Sequence, residues 1–434
     1  MSKTDLADTY RDLRRDLHRH PEPAWCEFYT TARLTEELEA RELDELLHGP
    51  VIHAVDARRN VPDADTLAEW RQRARAAGAN EAVLNRIGEG YTGAVAVVER
   101  GSGPTVALRV DIDALPITEA DGDDHHPATA GFRSTNEGFM HACGHDAHAT
   151  IGLGVLDRVL DSDFSGTFKL VFQPAEETVS GGKPIAESGV LDDVDHLLAL
   201  HIGLDHPSGE VVAGIDDFLA VRQFEATFRG ESSHAGARPE DGDNAVQAMA
   251  AAVQNLYAIP RNSAGGTRVN AGRVGGGTAS NIVPEAAFIE GEVRGETTDL
   301  MEYMWERAEH VLNGAATMYD CAVDIELLGD APSAHSDAAL VSVVDRVARR
   351  TAGVERVVDG DSLGGSEDAT YLMGRVQDRD GTAAYVGLGT DHPGGHHTPT
   401  FDVQEADIAV GIDLLAGVVE ELIDGGDVTT QPEQ

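Results

Sequence analysis

Strand-like and helix-like segments alternate between residues 92 and 203, and this alternation restricts the possible fold more than any other feature. The segments follow one another in the order TGAVAVVER, PTVALRVDID, HATIGLGVLDRVL, GTFKLVFQ, GKPIAESGV and DHLLALHIG. Apolar, β-branched runs that alternate with helices are typical of crossover connections on a mainly parallel sheet. We therefore expect an α/β fold that carries its functional residues in the loops after these strands.

A second α/β pattern interrupts the first one. From about residue 218 to 331 the sequence predicts four strands and two helices, and beyond it several helices and the strand TAAYVGLG resume the first pattern. A chain of 434 residues also exceeds what one hydrophobic core usually supports. We predict a larger domain formed by residues 1–217, with a polar insertion at about 49–90, and by residues 332–434, and a smaller α+β domain at 218–331.

The formal net charge of −43 argues against nucleic acid as a partner. It results from 76 acidic and 33 basic residues, and the only lysines are Lys3, Lys169 and Lys183. Such a surface repels a polyanionic backbone. Self-repulsion of this size is tolerated where roughly molar salt shortens the Debye length to about 3 Å. The composition therefore favours a salt-loving host over a merely acidic cytosolic protein.

Neither membrane insertion nor secretion is expected. The longest apolar stretches, such as residues 197–202 and 408–419, are too short or too interrupted by acidic residues to span a bilayer. The amino-terminal sequence has no apolar run followed by a small-residue cleavage site. Cys26, Cys143 and Cys321 form no paired framework. We predict a cytoplasmic protein with reduced thiols and no membrane partner.

The densest group of chemically active side chains lies in MHACGHDAHAT. Cys143, His145 and His148 occur within six residues between a loop and the start of a helix. Thiolate and imidazole are metal ligands, and Gly144 gives the backbone the freedom to turn both side chains toward one point. We expect a ligand pair here, and we expect Asp146 to cap the helix.

Two adjacent carboxylates, Glu176 and Glu177, follow an apolar strand in the segment QPAEE. Adjacent side chains on extended backbone point in opposite directions. One carboxylate can then bind metal while the other faces a water molecule as general base, although the sequence alone does not decide which does which. A solvated acidic pair is the alternative in so acidic a chain.

Further candidates follow two other strands and the last loop. His201 ends the apolar strand LLALHIG and is a natural third ligand. The loop TDHPGGHHTPTFD contains three histidines, of which we expect at least one to bind metal: His392, His396 and His397. Asp111 and Asp113 end the strand RVDID. They either orient the ligand histidines by hydrogen bonds to the ring nitrogens that do not bind metal, or they cap the next segment.

Taken together and in this order, these segments resemble the M20 peptidase family, in particular its amidohydrolase branch of aminoacylases, hippurate hydrolases and auxin-conjugate hydrolases. The resemblance covers nearly the whole chain. It implies a dinuclear-metal catalytic domain, interrupted by a lid and dimerisation domain, that cleaves the amide bond of an N-acyl or N-aroyl amino acid. The insertion before YTGAVAVVE and the strings GAATMY and GSEDAT are most similar to members that hydrolyse p-aminobenzoyl-glutamate.

The resemblance also assigns roles in the catalytic domain. It implies that two divalent ions, Mn²⁺ or Zn²⁺, are held by five residues: Cys143, His145, Glu177, His201 and His397. Glu176 becomes the general base that activates water. His396 becomes a neighbour of the ligands, although the doubled histidine leaves the choice between His396 and His397 open.

In the smaller domain, SSHAGARPEDGDNA resembles the lid motif of the family. Its histidine, His234, is implied to stabilise the oxyanion in the active site of a partner subunit, which implies a homodimer. Asn281 and Arg294 match positions that meet the substrate. A second hydrolase subunit is a further possible partner. The alternatives are a general N-acyl-amino-acid deacylase, a small carboxypeptidase, or a noncatalytic subunit of a larger hydrolase.

Overall fold

The structure is a computed structural model that describes residues 3–392 and 394–423, with side chains from Tyr10 onward. Residues 1–2 and 424–434 of the predicted larger domain, and Pro393, lie outside the described residues. The chain divides into two compact units. The first unit contains residues up to Asp216, Ala334–Leu363 and the chain from Asp368 on, and the second contains Asp217–Ser333 and Gly364–Glu367.

The described helices are α1 (Lys3–Arg19), α2 (Phe28–Glu39), α3 (Ala64–Ala76), α4 (Glu81–Arg86), α5 (His126–Thr129), α6 (His145–Asp161), α7 (Gly182–Ala186), α8 (Ala245–Tyr257), α9 (Thr298–Met318), α10 (Ala338–Ala348), α11 (Ala369–Gln377) and α12 (Glu405–Ile423). The described strands are β1 (Glu45–His48), β2 (Ala94–Arg100), β3 (Thr105–Asp111), β4 (Gly166–Gln173), β5 (His196–Ile202), β6 (Glu210–Val212), β7 (Ile215–Asp216), β8 (Ala220–Arg229), β9 (Thr267–Gly276), β10 (Ala286–Gly295), β11 (Ala322–Ala331), β12 (Arg356–Val358), β13 (Asp361–Ser362) and β14 (Thr382–Leu388).

The main sheet of the first unit has the strand order β1-β2-β4-β3-β5-β14-β6-β12. Its central strands β4, β3, β5 and β14 are parallel to one another, whereas β1–β2, β2–β4 and β6–β14 pair antiparallel. The α/β prediction is confirmed, with a mixed sheet whose centre is parallel. The parallel centre matters most for function, because four strands end at the same edge.

Buried apolar side chains hold α6 on one face of this sheet. Helices α1 and α12 pack against α6, and α10 packs against α12. Alternate residues of the central strands, such as Leu108 and Leu200, join the same core as Leu153 of α6 and Leu415 of α12. Burial of apolar area at about 25 cal/mol per Å² makes this core the main source of stability of the unit.

The insertion predicted at 49–90 contains α3 and α4, together with two short 3₁₀ helices, Pro50–Ile52 and Val55–Ala57. Asp63 caps α3, because its side chain accepts a hydrogen bond from the amide of Thr66 at 2.8 Å. The strand β1 that precedes the insertion was not predicted.

The second unit contains one four-stranded antiparallel sheet and two helices. The strand order is β11-β8-β10-β9, and every neighbouring pair is antiparallel. Apolar residues of α8 and α9, including Ala252 and Leu312, pack with strand residues such as Phe224 and Ile289. The strands and helices of this unit occur where the sequence predicted them. In the part of the chain that the structure describes, no helix is long and apolar enough to cross a membrane.

Candidate metal centre and active site

The candidate residues of the first unit follow the carboxyl ends of the parallel strands. Asp111 is the last residue of β3 and pairs with Gln173, the last residue of β4. Glu176 follows β4 within three residues, and His201 is the penultimate residue of β5. The loop that begins after β14 carries the last three histidines. This edge of a parallel sheet is where α/β proteins commonly bind ligands.

The segment before α6 brings Cys143 to His201. Gly144 caps the helix with a φ of +86°, a conformation that favours glycine. A Cβ at this position would lie 2.6 Å from the Cγ2 of Ile202, so a larger residue could not approach β5 as closely. The Sγ of Cys143 consequently lies 3.3 Å from the Nε2 of His201, with both side chains buried.

Hydrogen bonding fixes the tautomer of His201. Its Nδ1 lies 2.9 Å from the carbonyl oxygen of Ile202, which can only accept, so Nδ1 carries the proton. Burial, together with the neighbouring His148 and His396, holds the pKa of His201 well below its usual range. The ring is therefore neutral and directs the lone pair of Nε2 toward Cys143, as a metal-binding imidazole requires.

His145 lies among four carboxylates. Its Nδ1 is 3.3 Å from Asp113, and its Nε2 is 3.6 Å from Asp111, 3.7 Å from Glu177 and 4.0 Å from Glu176. Burial alone lowers the pKa of this imidazole, but Asp111, Asp113 and Glu177 outweigh burial and raise the pKa to about 10. The carboxylates around His145 thus favour a positive charge at this buried position. A bound cation would also supply such a charge.

His148, the third member of the amino-terminal cluster, is fully engaged by the protein. Its Nδ1 donates to the Oδ1 of Asp111 at 2.5 Å, and its Nε2 accepts the amide of Ile202 at 2.8 Å. No lone pair of the ring remains for a metal ion. Arg109 donates to the other oxygen of Asp111 at 2.8 Å, so this carboxylate orients His148 from a fixed position.

The segment QPAEE is a turn, and the expectation of extended backbone at the glutamates was wrong. Ala175 has a φ of +57°, and Glu176 and Glu177 lie in the turn that follows. The buried carboxylate of Glu27 accepts the amide of Ala175 at 2.8 Å, and Asp113 accepts the amide of Glu177 at 3.0 Å. Because the turn is held at both positions, both glutamate carboxylates face His145 instead of opposite directions.

The adjacent histidines His396 and His397 lie on different sides of the cluster. The Nε2 of His397 lies 3.5 Å from the Oε2 of Glu177, although its side chain is 55% exposed. His396 lies with Cys143 and His201 in a group whose ligand atoms are all within 4.8 Å of one another. Its Nε2 donates to the carbonyl of Ile202 at 3.0 Å, and burial lowers its pKa to about 4. The geometry therefore brings both histidines to the candidate centre.

A divalent cation fits these residues. The two nitrogens of His145 and the Oδ1 of Asp113 are buried, and no hydrogen bond of normal geometry satisfies them among the described residues, although Nδ1 and Oδ1 lie 3.3 Å apart as an ion pair. Buried polar atoms without partners are costly, and a cation would satisfy them. Cys143, His145 and Glu177 also form a group whose ligand atoms lie within 4.8 Å of one another, and thiolate, imidazole and carboxylate together suit Zn²⁺ or Mn²⁺.

The three remaining predicted residues lie in the second unit. His234 is exposed, and its Nδ1 accepts the amides of Gly236 and Ala237, each at 3.1 Å. The proton of a neutral ring is then on Nε2, which faces outward as a donor. The side chain of Asn281 is exposed, while its backbone carbonyl accepts the amide of Ala235 at 3.0 Å.

Arg294 on β10 is half-buried and already has a partner. Its Nε and Nη2 donate to the two carboxylate oxygens of Glu292 at 2.8 and 3.0 Å. Its Nη1 donates to the hydroxyl of Ser366 at 3.3 Å. A substrate carboxylate at Arg294 would therefore share or displace a bidentate ion pair, a feature that the sequence did not indicate.

The residues that surround Asp146 were not predicted from the sequence. This side chain does not cap α6, as had been predicted, because Arg14 and His18 bind it at 2.8 Å each. A signal was present in the sequence, since residues four apart on α1 share one helix face. Their partner lies more than 125 residues away, beyond the reach of local patterns.

Residues 107–421 match the model of peptidase family M20/M25/M40. The chain belongs to this family. The resemblance that the motifs predicted is confirmed, and the chain is a hydrolase that acts on amide bonds.

Two relatives and one solved structure illustrate where the chain lies in the M20 family. Indole-3-acetyl-aspartic acid hydrolase of Enterobacter agglomerans is 44% identical over 93% of both chains. One of the subunits of p-aminobenzoyl-glutamate hydrolase of Escherichia coli K12 is 40% identical over 95% of both chains. The crystal structure of the aminobenzoyl-glutamate utilization protein of Klebsiella pneumoniae superimposes with a TM-score of 0.82 at 36% identity and covers 96% of both chains.

Proposed function

We propose that the chain hydrolyses the amide bond between an aromatic acyl group and an acidic amino acid. p-Aminobenzoyl-glutamate is the first candidate substrate, and indole-3-acetyl-aspartate is the second. The names of the two relatives share this chemistry, an aromatic acyl group joined to glutamate or aspartate. The observation that carries the proposal is the pair Glu176 and Glu177, which faces His145 at the edge of a parallel sheet.

Five residues would hold two divalent ions in this proposal: Cys143, His145, Glu177, His201 and His397. The buried thiol favours Zn²⁺, whereas the carboxylate and the imidazoles also suit Mn²⁺. Such ions acidify a water molecule and polarise an amide carbonyl. Asp113 holds His145 from its Nδ1 side, and Asp111 acts on the site by fixing His148 and, through it, the amide of Ile202.

Glu176 acts as the general base and then as the general acid. Its buried carboxylate takes a proton from the attacking water and delivers it to the amide nitrogen as the carbon–nitrogen bond breaks. The turn that carries it is fixed through Ala175 and Glu177. This positioning supports proton transfer at a defined atom rather than by solvent.

In the second unit, His234 supplies a hydrogen bond to the oxyanion in the active site of a partner subunit. The two amide donors on Nδ1 support this role, because they leave the proton on Nε2. Arg294 binds a carboxylate of the amino acid and Asn281 contacts the substrate. We further propose that residues 218–331 form the lid and the surface of a homodimer, and that 1–217 and 332–434 form the catalytic domain.

Several properties of the molecule in the cell belong to the same proposal. The Escherichia coli relative is named as one of the subunits of its hydrolase, which supports a second, different subunit for this chain too. The net charge of −43 supports a cytoplasm of high salt concentration as its location. Activity and stability should accordingly rise with salt.

The test is release of free glutamate from p-aminobenzoyl-glutamate, beside indole-3-acetyl-aspartate and N-acetyl amino acids, in high salt with Mn²⁺ or Zn²⁺. We expect the two aromatic conjugates to be cleaved fastest, and Glu176→Gln to lower kcat by about 10²–10⁴-fold with metal content unchanged. Glu421→Gln is the matched control, since Glu421 is a carboxylate ion-paired with Arg346 and Arg350 near the far end of α12.

Two results would contradict the proposal. If N-acetyl amino acids are cleaved much faster than the aromatic conjugates, the enzyme is a general deacylase. If metal-loaded protein cleaves none of these substrates, the chain alone is noncatalytic, which contradicts hydrolysis by Glu176 and the metal ions of this chain by themselves.

A further inference from the structure

We propose that Arg14 of α1, assisted by His18, is a positioning residue that holds the two ligand-bearing segments of the metal centre in register. The segments are residues 141–145 and 394–397. The inference rests on the proposed metal site, but it concerns a helix that contributes no ligand to that site.

The guanidinium of Arg14 bridges two carboxylates that adjoin these segments. Its Nε lies 2.8 Å from Asp146, the residue directly after His145. Its Nη2 donates to Asp402 at 2.6 Å, five residues after His397. Arg14 is fully buried, and the two carboxylates lie 256 positions apart in the sequence. One side chain thus connects the start of α6 to the end of the histidine loop.

His18 extends this bridge to a third segment. Its Nδ1 lies 2.8 Å from Asp146 and its Nε2 lies 2.9 Å from Glu119. Glu119 in turn accepts the amide of Ser134 at 2.6 Å. The ring of Phe132 packs edge-on against His18, with ring centroids 5.3 Å apart. The polar groups therefore lie in a buried environment with little freedom to move.

Stability alone does not account for so many buried charges. A buried ion pair generally gives no net stability over well-packed apolar residues of similar volume. A planar guanidinium, however, can hold two carboxylates at a fixed spacing, here by a hydrogen bond to Asp402 and an ion pair with Asp146, which neither an apolar residue nor a lysine ammonium does equally well. The arrangement suits a role in geometry, and the geometry that it fixes is that of Cys143 and His145 relative to His397.

The test compares Arg14→Lys and Arg14→Met with wild type and with Arg41→Met. Arg41 is the matched control because it binds Asp157 near the other end of α6, at 2.6 and 2.9 Å. Zn²⁺ affinity is measured by competition with a chelator, the absorption spectrum is recorded after Co²⁺ substitution, and the stability of the metal-free proteins is measured by denaturant unfolding.

We expect Arg14→Lys to lower Zn²⁺ affinity about 10–100-fold, as loss of residues that orient ligands does, and to alter the Co²⁺ spectrum. Arg41→Met should lose stability but keep wild-type affinity and spectrum. Arg14→Lys keeps the positive charge, so it serves where Arg14→Met does not fold. Wild-type affinity and spectrum in Arg14→Lys would overturn the positioning role alone, whereas wild-type protein that binds no Zn²⁺ would overturn the proposed metal site as well.

Discussion

The candidate ligands of the first unit are mostly buried, whereas the candidate substrate-binding residues of the second unit are exposed or half-buried. His201 illustrates the first kind, with Nδ1 on a backbone carbonyl and Nε2 directed at Cys143. His234 illustrates the second kind, because two backbone amides orient a ring that faces solvent. His397, more than half exposed, is the exception in the first unit.

This difference indicates two kinds of ligand. Buried donors that converge on one point are preorganised for a small cation that stays bound. Exposed donors of fixed tautomer suit a molecule that arrives and leaves in each catalytic cycle. Substitutions of the candidate ligands in the first unit should therefore change metal content, and substitutions of the candidate substrate-binding residues in the second should change kinetic constants alone.

The largest effect is expected at His145. We predict that His145→Ala lowers metal content below two ions per chain. The rate of hydrolysis should fall by roughly 10³-fold or more, because loss of one residue of a catalytic group can remove most of the activity of the whole group. Metal analysis and kinetics measure both effects. His196→Ala is the control, since His196 begins the strand that His201 nearly ends and contacts Thr382 instead. Full metal content in His145→Ala would mean that His145 is not a metal ligand, and it would contradict the distinction between metal-binding residues in the first unit and substrate-binding residues in the second.

His234→Ala should give the next largest effect. Loss of one oxyanion donor is predicted to lower kcat by about 10²–10³-fold without changing metal content. Steady-state kinetics and metal analysis on the same preparation check this, with His310→Ala as a control at an exposed histidine of α9. A loss of metal in His234→Ala would remove the distinction between the two units.

Arg294 should affect substrate binding. We expect Arg294→Met to raise KM for p-aminobenzoyl-glutamate about 10–100-fold with kcat nearly unchanged, because a charge-assisted hydrogen bond is lost equally in ground and transition states. Arg273→Met, on the neighbouring strand and paired with Glu290 at 2.6 Å, should leave KM unchanged. An unchanged KM in Arg294→Met would mean that Arg294 serves only its contacts with Glu292 and Ser366 and binds no substrate carboxylate.

The smallest effect concerns pH and the buried network of α1. Burial and Arg14 lower the pKa of His18, but Asp146 and Glu119 outweigh them and raise it from 6.5 to about 9. The folded state then binds more protons than the unfolded state, so the contribution of His18 to stability is full below pH 6.5 and is lost as pH rises through about 9. Denaturant unfolding of metal-free wild type should show this loss, and His18→Gln should not. Parallel pH profiles would contradict it.

Much of the fold followed from local patterns. The alternation of apolar strands and helices predicted the parallel centre, and the positions of Asp111, Glu176 and His201 at strand ends predicted one shared edge. These features are readable because periodicity and strand ends are local properties of the sequence.

What the sequence did not reveal depends on long-range contacts or on unusual backbone. The positive φ of Ala175 turns both glutamates to one side, and it is stabilised by Glu27, about 150 residues earlier. The antiparallel pairing of β1 with β2 and the bond from Arg14 to Asp402 are likewise set by tertiary structure. The family resemblance predicted the roles of the site residues, but it did not predict that Glu292 forms a bidentate ion pair with Arg294.

The central claim is that the first unit holds two metal ions at the edge of its parallel sheet. Anomalous diffraction from crystals grown with Mn²⁺ or Zn²⁺ tests it most directly. We predict two peaks per chain, each within about 2.0–2.3 Å of ligand atoms drawn from Cys143, His145, Glu177, His201 and His397. No peak at this cluster, or a single ion bound by His396 in place of His397, would contradict the account.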